Sequence, residues 1–193
     1  MIGIVEGDIF SLQRGIFVHG CNCQGAMGGG IAKIVRDKWP DVYHTYRHVF
    51  LEQGLRLGDV VTVAHPYLGF PEPEGSPEAH RARLNMRRHV HGYSEQLPGQ
   101  EFVVANAMTQ YDHGRDPGTV YVDYDALEAA FLRVRILARD TKLPVHFPLI
   151  GCGLANGQWD EVSARIERAL GPDIAKTLWV LPTKKEAPQG SLL

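Results

Sequence analysis

The residues best placed to do chemistry in this 193-residue chain crowd into one stretch, His19-Gly-Cys-Asn22-Cys-Gln-Gly-Ala-Met-Gly28-Gly29-Gly30-Ile31-Ala32-Lys33. Five of the eleven positions from Gly20 to Gly30 are glycine, which lets backbone reach positive φ and approach a ligand closely. A glycine loop that feeds a helix aims free N–H groups and the positive end of the helix dipole at whatever binds there, typically a phosphate. The spacing matches neither of the two commonest phosphate loops. No Lys-Ser/Thr pair closes it, and Lys33 stands where G-x-G-x-x-G needs its last glycine. A glycine-rich structural turn is the competing reading, although a bare turn seldom needs this many glycines. At the centre of the loop sits His19, and an imidazole with a pKa of ~6.5 serves as acid, base or nucleophile at neutral pH. The alternative is a histidine buried and hydrogen-bonded beneath the loop.

A second polar cluster runs from Asn106 to Gly118 and holds Tyr111, Asp112, His113 and Arg115. The planar guanidinium of Arg115 suits a terminal phosphate. Asp112 or His113 would supply a proton-transfer group. A solvent-facing turn rich in Asp, Gly and Pro explains the same residues. A third candidate segment is the second glycine loop, Gly151-Cys152-Gly153-Leu154-Ala155-Asn156-Gly157. Cys21-x-Cys23 is half of a metal site at most, since no second pair stands at zinc spacing. Small buried thiols are the better reading. No metal is expected, and the chemistry is expected to be metal-independent.

These segments need elements to hold them. Apolar runs predict strands over Met1–Val5, Ile16–His19, Val60–Ala64, Phe102–Ala107, Val145–Ile150 and Thr177–Leu181. Periodic apolar faces predict helices over Ile31–Trp39, stopped by Pro40, over Asp41–Gln53 with Gly54 as C-cap, over Val122–Arg139 and over Trp159–Leu170. Asp123 and Asp125 are expected to cap the third of these. Alternation of strand and helix predicts an α/β fold with a largely parallel sheet. Ligands bind outside the C-terminal ends of such strands. Asp8, residues 19–30, residues 106–116 and residues 151–156 would all converge on that edge.

Residues 65–100 break the pattern, with five prolines and little periodicity. They read as an inserted loop or lid, in which Ala79–His91 forms a basic helix that is either a solvated face or a cover that neutralises a phosphate. Residues 184–193 read as a loose tail. Net charge is −2 with no basic block, which argues against general nucleic-acid binding. No apolar run reaches the ~18 residues of a membrane span, and no signal peptide is visible. Three cysteines are an odd number, so a reducing, cytoplasmic setting is expected. A monomer is expected.

Taken together and in this order, the segments resemble a macrodomain, the fold that binds ADP-ribose. The resemblance covers Met1 to Leu181 apart from 65–100. It implies a single macro domain over residues 1–183, a three-layer α/β/α fold around a mixed, largely parallel sheet of about six strands. Gly7-Asp8-Ile9 is similar to the family's Gly-Asp-Ile segment, whose Asp accepts from the adenine amino group. Asn22 matches an asparagine beside the distal ribose. Gly28-Gly29-Gly30-Ile31-Ala32 resembles the first diphosphate loop, and Ile150-Gly151-Cys152-Gly153-Leu154, followed by Ala155, resembles the second.

Within the family, the His19–Ala32 motif most resembles the yeast and phage enzymes that dephosphorylate ADP-ribose 1″-phosphate. Two neighbouring branches remove ADP-ribose from protein or from DNA with a lysine in a Thr-Lys pair. Here that pair reads Thr109-Gln110, and Ala155 stands where the protein-directed branch has Asp. Both departures weigh against lysine-dependent deglycosylation. The resemblance implies ADP-ribose or ADP-ribose 1″-phosphate as partner and no cofactor. From the residues' own chemistry, catalysis is expected of His19 as general base or nucleophile, with Asn22 orienting the distal ribose or phosphate and Asp112 or His113 as the second proton-transfer group. Thr109 and Arg115 complete the expected ligand contacts. The competing functions are an ADP-ribose reader without catalysis, an ADP-ribosyl hydrolase acting on protein or nucleic acid, and a nucleotide-binding protein unrelated to ADP-ribose.

Overall fold

The computed structural model describes residues 1–64 and 102–182. Its elements are β1 (Gly3–Glu6), a 3-10 turn (Ile9–Ser11), β2 (Gly15–Asn22), α1 (Gly30–Lys38), α2 (Pro40–Gln53), β3 (Val60–Ala64), β4 (Phe102–Gln110), α3 (Tyr124–Thr141), β5 (Val145–Phe147), α4 (Trp159–Leu170) and β6 (Lys176–Val180). The six strands form one sheet in the order β1-β6-β5-β2-β4-β3. Every neighbouring pair is parallel except β3 with β4.

The period-2 alternation of side chains in the central strands builds two cores. Ile16 and Val18 of β2, with Val103 and Ala105 of β4, pack against Leu127, Phe131 and Val134 of α3 and Val162 and Ile166 of α4. Phe17 and Cys21 of β2, with Val104 and Met108 of β4, pack against Val35 of α1 and Val42, Tyr46 and Val49 of α2. The result is the expected three-layer α/β/α arrangement with a mixed six-stranded sheet.

Several boundaries differ from the expectation for physical reasons. All four residues of β1 are exposed, because it is an edge strand. β5 ends at Phe147, where Pro148 has no N–H to continue the ladder. β2 and β4 run on through Asn22 and Gln110, paired along most of that length. Both faces of β2 are covered by helices, so its sequence need not alternate. Pro40 begins α2 as well as ending α1, standing at the first helical position with Trp39 shared as the cap. Asp123 caps α3 by accepting the Ala126 N–H at 2.8 Å, and Asp125 lies in the first turn. The 65–100 insertion with its Ala79–His91 helix, and the 184–193 tail, lie outside the described residues. Among the described residues no helix is long and apolar enough to cross a membrane.

Candidate functional site

At the C-terminal edge of the parallel strands the described residues enclose a cavity of about 700 Å³, a volume suited to a nucleotide-sized ligand. Its first wall is the loop after β2. The Asn22 carboxamide organises that loop from within. Its Oδ1 accepts from the Gln24 N–H at 2.9 Å and the Ala26 N–H at 3.2 Å, while its Nδ2 donates to the Ala26 carbonyl at 2.7 Å. Tyr46, fully buried on α2, sets its hydroxyl 2.7 Å from the Asn22 carbonyl and 3.0 Å from Oδ1. Burial pushes the Tyr46 phenol up, so it stays protonated as a donor. Arg47 of α2 braces the Gln24 and Gly25 carbonyls at 3.4 and 3.3 Å.

The loop then enters α1 through Gly29 and Gly30. Gly30 has φ +55, a conformation open to glycine at no steric cost. The first intrahelical bond runs from the Lys33 N–H to the Gly29 carbonyl at 3.2 Å. The N–H groups of Gly30, Ile31 and Ala32 therefore precede the helical ladder. No side chain caps this end, and all three residues line the cavity.

The second wall is the loop after β5. Gly151 has φ +75, and a Cβ there would meet Val122 at 2.9 Å. The Asn156 N–H closes on the Gly153 carbonyl at 3.0 Å and the Gly157 N–H on the Gly151 carbonyl at 2.8 Å. The N–H groups of Gly153, Leu154 and Ala155 take no protein acceptor among the described residues. Leu154 reaches across the opening: its Cδ1 lies 3.0 Å from where a Cβ on Gly29 would sit.

The third wall is the end of β4 and the loop beyond it, with Gln110, His113, Gly114 and Arg115. Asp112 Oδ1 accepts the His113 N–H at 2.7 Å and lies 3.4 Å from His113 Nδ1. Trp179, Val180 and Leu181, at the end of β6, form an apolar rim. Trp179 is fixed by its indole N–H, which donates to His146 Nδ1 at 3.1 Å. Among the described lining residues Arg115 is the one permanent cation and none is a carboxylate, so this lining favours an anion.

No protein-family model matches the chain. An ADP-ribose 1″-phosphate phosphatase of Scheffersomyces stipitis is 26% identical over 186 residues, covering 87% of this chain and 94% of the relative. The macrodomain of Mycobacterium tuberculosis DarG matches with a TM-score of 0.66 at 17% identity, over 93% of this chain and 97% of its own. This chain has the macrodomain fold. A DarTG of Thermosipho africanus, solved in complex with ADP-ribose, matches with a TM-score of 0.64 at 20% identity, over 96% of this chain and 42% of its own.

The fold gathers most of the expected ligand contacts on one cavity: Asn22, Gly28 through Ala32, Arg115, Ile150, Gly151, Gly153, Leu154 and Ala155, together with His113. His19 is not among them: the structure places it off the cavity, away from where the expected catalytic role would need it. It lies inside β2, fully buried, on the face covered by α1 and α2. Its Nε2 is 2.7 Å from Asn106 Oδ1, and Asn106 Nδ2 donates to the Val61 carbonyl at 3.0 Å. That network assigns the proton to Nε2 and leaves Nδ1 facing the Cys21 thiol at 3.7 Å. Burial pushes the imidazole down to about 4, against the opposing pull of Asn106. His19 is thus a neutral core group at pH 7.

Other expected residues also stand off the cavity. Thr109 is fully buried, with no partner for its hydroxyl among the described residues, and packs behind Gly20. Asp112 is exposed and meets the lining through His113 and through its carbonyl, which accepts from Gln110 Nε2 at 2.7 Å. Cys152 packs against the α3 and α4 core. Gly7 donates its N–H to the Val180 carbonyl at 2.8 Å, so Gly7-Asp8-Ile9 borders the rim without lining it. Asp8 caps the 3-10 turn through the Phe10 N–H at 3.0 Å, and the Ile9 side chain is buried in the core. Asn22 does line the cavity, but its carbonyl oxygen is spent on the loop. Gly20, Cys21, Ala26, Gln110 and Gly114 also line the cavity, within segments expected at this edge, and the residues missed from the sequence are Pro148, Leu149 and the Trp179–Leu181 rim. The end of the last strand, at the same edge as the others, was the available signal for that rim.

Proposed function

We propose that this macrodomain binds ADP-ribose and hydrolyses the terminal phosphate of ADP-ribose 1″-phosphate, releasing ADP-ribose and inorganic phosphate. One observation supports this most. A single cavity carries unclaimed backbone N–H groups from two glycine loops, and on its wall a third loop brings one permanent cation and one imidazole. The N–H groups of residues 30–32 and 153–155 would hold the diphosphate. The Trp179 rim, next to Asp8, would take the adenine. Asn22, with one Nδ2 hydrogen left, would face the distal ribose.

The terminal phosphate then falls to Arg115 and His113. In this reading Asp112 holds the proton on His113 Nδ1 and leaves Nε2 as general base. Nε2 takes a proton from a water whose oxygen bonds to phosphorus. The bond from phosphorus to O1″ breaks, its electron pair goes to O1″, and O1″ takes a proton from solvent. Arg115 offsets charge on the phosphoryl oxygens in the transition state. Gln110 in place of lysine and Ala155 in place of Asp set this site apart from lysine-dependent deglycosylation.

A second reading, a reader that binds ADP-ribose without turnover, is favoured by the burial of His19. Such a module needs the two loops and the rim but neither Arg115 nor His113. Titration with ADP-ribose and phosphate release from ADP-ribose 1″-phosphate, for wild type, Arg115→Ala and His113→Gln, separate the two. Each substitution is expected to lower kcat/KM by about 100-fold and to leave ADP-ribose affinity within about threefold. Binding without release would leave the reader. No binding would remove both readings.

A further inference from the structure

Asn156 is one of two non-glycine residues with positive φ among the described residues, at φ +56. Lys142, the other, is simply the C-cap of α3. Glycine would satisfy the backbone at 156 equally well. What asparagine adds is a side-chain NH₂, and both of its hydrogens are used. Asn156 Nδ2 donates to the Asp116 carbonyl at 2.9 Å and to the Thr119 carbonyl at 2.7 Å. Those carbonyls belong to a turn that is already closed on itself. The Asp116 carboxylate accepts the Gly118 N–H at 2.9 Å and the Thr119 hydroxyl at 2.8 Å.

The turn begins one residue after Arg115. On the other side, the Cys23 N–H bonds the Gln110 and Tyr111 carbonyls at 3.1 and 3.0 Å. The segment that carries His113 and Arg115 is therefore pinned at 111 and at 116, with residues 112–115 between. Without the Asn156 bonds, the next tie to the second glycine loop is the Tyr121 N–H on the Ala155 carbonyl at 2.9 Å. The span free of that loop would then lengthen to residues 112–120, and a longer span samples more conformations.

We propose that Asn156 is a positioning residue, clamping the 111–119 loop to the second glycine loop so that Arg115 and His113 face the terminal phosphate. The proposal rests on the phosphatase reading for its consequence in turnover, but the clamp itself is testable without it. The variant is Asn156→Gly, which keeps the backbone conformation and removes only the two bonds. Amide hydrogen exchange over residues 113–119 is expected to quicken by about tenfold or more. Turnover of ADP-ribose 1″-phosphate is expected to lose about tenfold in kcat, while the affinity for ADP-ribose, which lacks that phosphate, stays within about twofold. Asn156→Asp, which presents oxygens to the same carbonyls, should do the same or worse. Unchanged exchange in Asn156→Gly would overturn the clamp. Equal losses in ADP-ribose affinity and kcat would overturn the positioning role, since they mark damage to the cradle. If the wild type releases no phosphate, the phosphatase reading fails by itself, and the exchange result alone decides the clamp.

Discussion

Two loops wall the same cavity and are built in opposite ways. The loop over residues 22–30 is held from beneath by side chains in the core: the Asn22 carboxamide, the fully buried Tyr46 hydroxyl and Arg47. The loop over residues 111–119 is held at the surface. Most of its residues are exposed, and its ties are backbone bonds, an Asp116 turn and the Asn156 side chain. The first offers backbone N–H groups in a fixed array, the condition for binding an anion without reorganisation. The second offers the titratable and cationic side chains, in a region whose local opening is cheap. Under the proposed function, binding and turnover rest on separate structural units, and each should fail independently.

The hardest blow to the first loop is Asn22→Ala. It removes the acceptor for two backbone N–H groups, the longer of the two Tyr46 hydroxyl contacts and the donor to Ala26, in a largely buried setting. Buried groups left unpaired cost about 1–3 kcal/mol each, so a loss of about 4 kcal/mol in unfolding free energy is expected. Urea denaturation measures it, and ADP-ribose titration should show binding lost. A variant that stays stable and still binds would mean that α2 packing alone shapes the cradle, and the contrast between the loops would weaken.

His19 gives the second test, through pH. Its folded-state pKa, about 4, lies below the ordinary 6.5. The unfolded chain therefore binds the extra proton between those values, and stability rises with pH through that window. The contribution is whole above pH ~6.5 and is lost as pH falls toward ~4, on the order of 3 kcal/mol in all. Unfolding free energies at pH 7, 6, 5 and 4.5, compared with His19→Gln, should show a slope of about one proton that the variant lacks. An identical slope in the variant would put the titration elsewhere and reopen His19 as a solvent-reached group.

Why the sequence misplaced His19 is clear from β2. The fold was legible wherever a period was: Trp159–Leu170 reads to the residue, and the structure caps it with Gly171. Both glycine loops were legible because glycine density marks backbone approach. His-Gly-Cys-Asn has no alternation, so the strand seemed to end at His19. In the structure both faces of β2 are covered, the strand continues to Asn22, and His19 sits three residues short of the edge. Asp8 borders the cavity rather than lining it for a related reason, since sequence order does not say that β1 is outermost. Trp179 went unnoticed because a tryptophan in an apolar run reads as core. The surface ties of the 111–119 loop are contacts across 37 and 40 positions of sequence, which no local pattern carries.

The smallest expected effect is the sharpest test of the claim that the first loop's array is complete before ligand arrives. A Cβ added at Gly28 or Gly153 meets no atom of the described residues within 4 Å, and both residues line the cavity. Gly28→Ala and Gly153→Ala should therefore leave unfolding free energy within about 0.5 kcal/mol of wild type, or raise it slightly by restricting the unfolded chain. The added methyl instead occupies ligand space, and ADP-ribose affinity should fall by about tenfold, ~1.4 kcal/mol. Gly30→Ala makes the opposite control, because at φ +55 the methyl strains the backbone by about 1–2 kcal/mol whatever the space. If Gly28→Ala loses stability but not affinity, the loop is not in its binding shape without ligand, and the cradle would belong with the surface loop as a unit that must be ordered on binding.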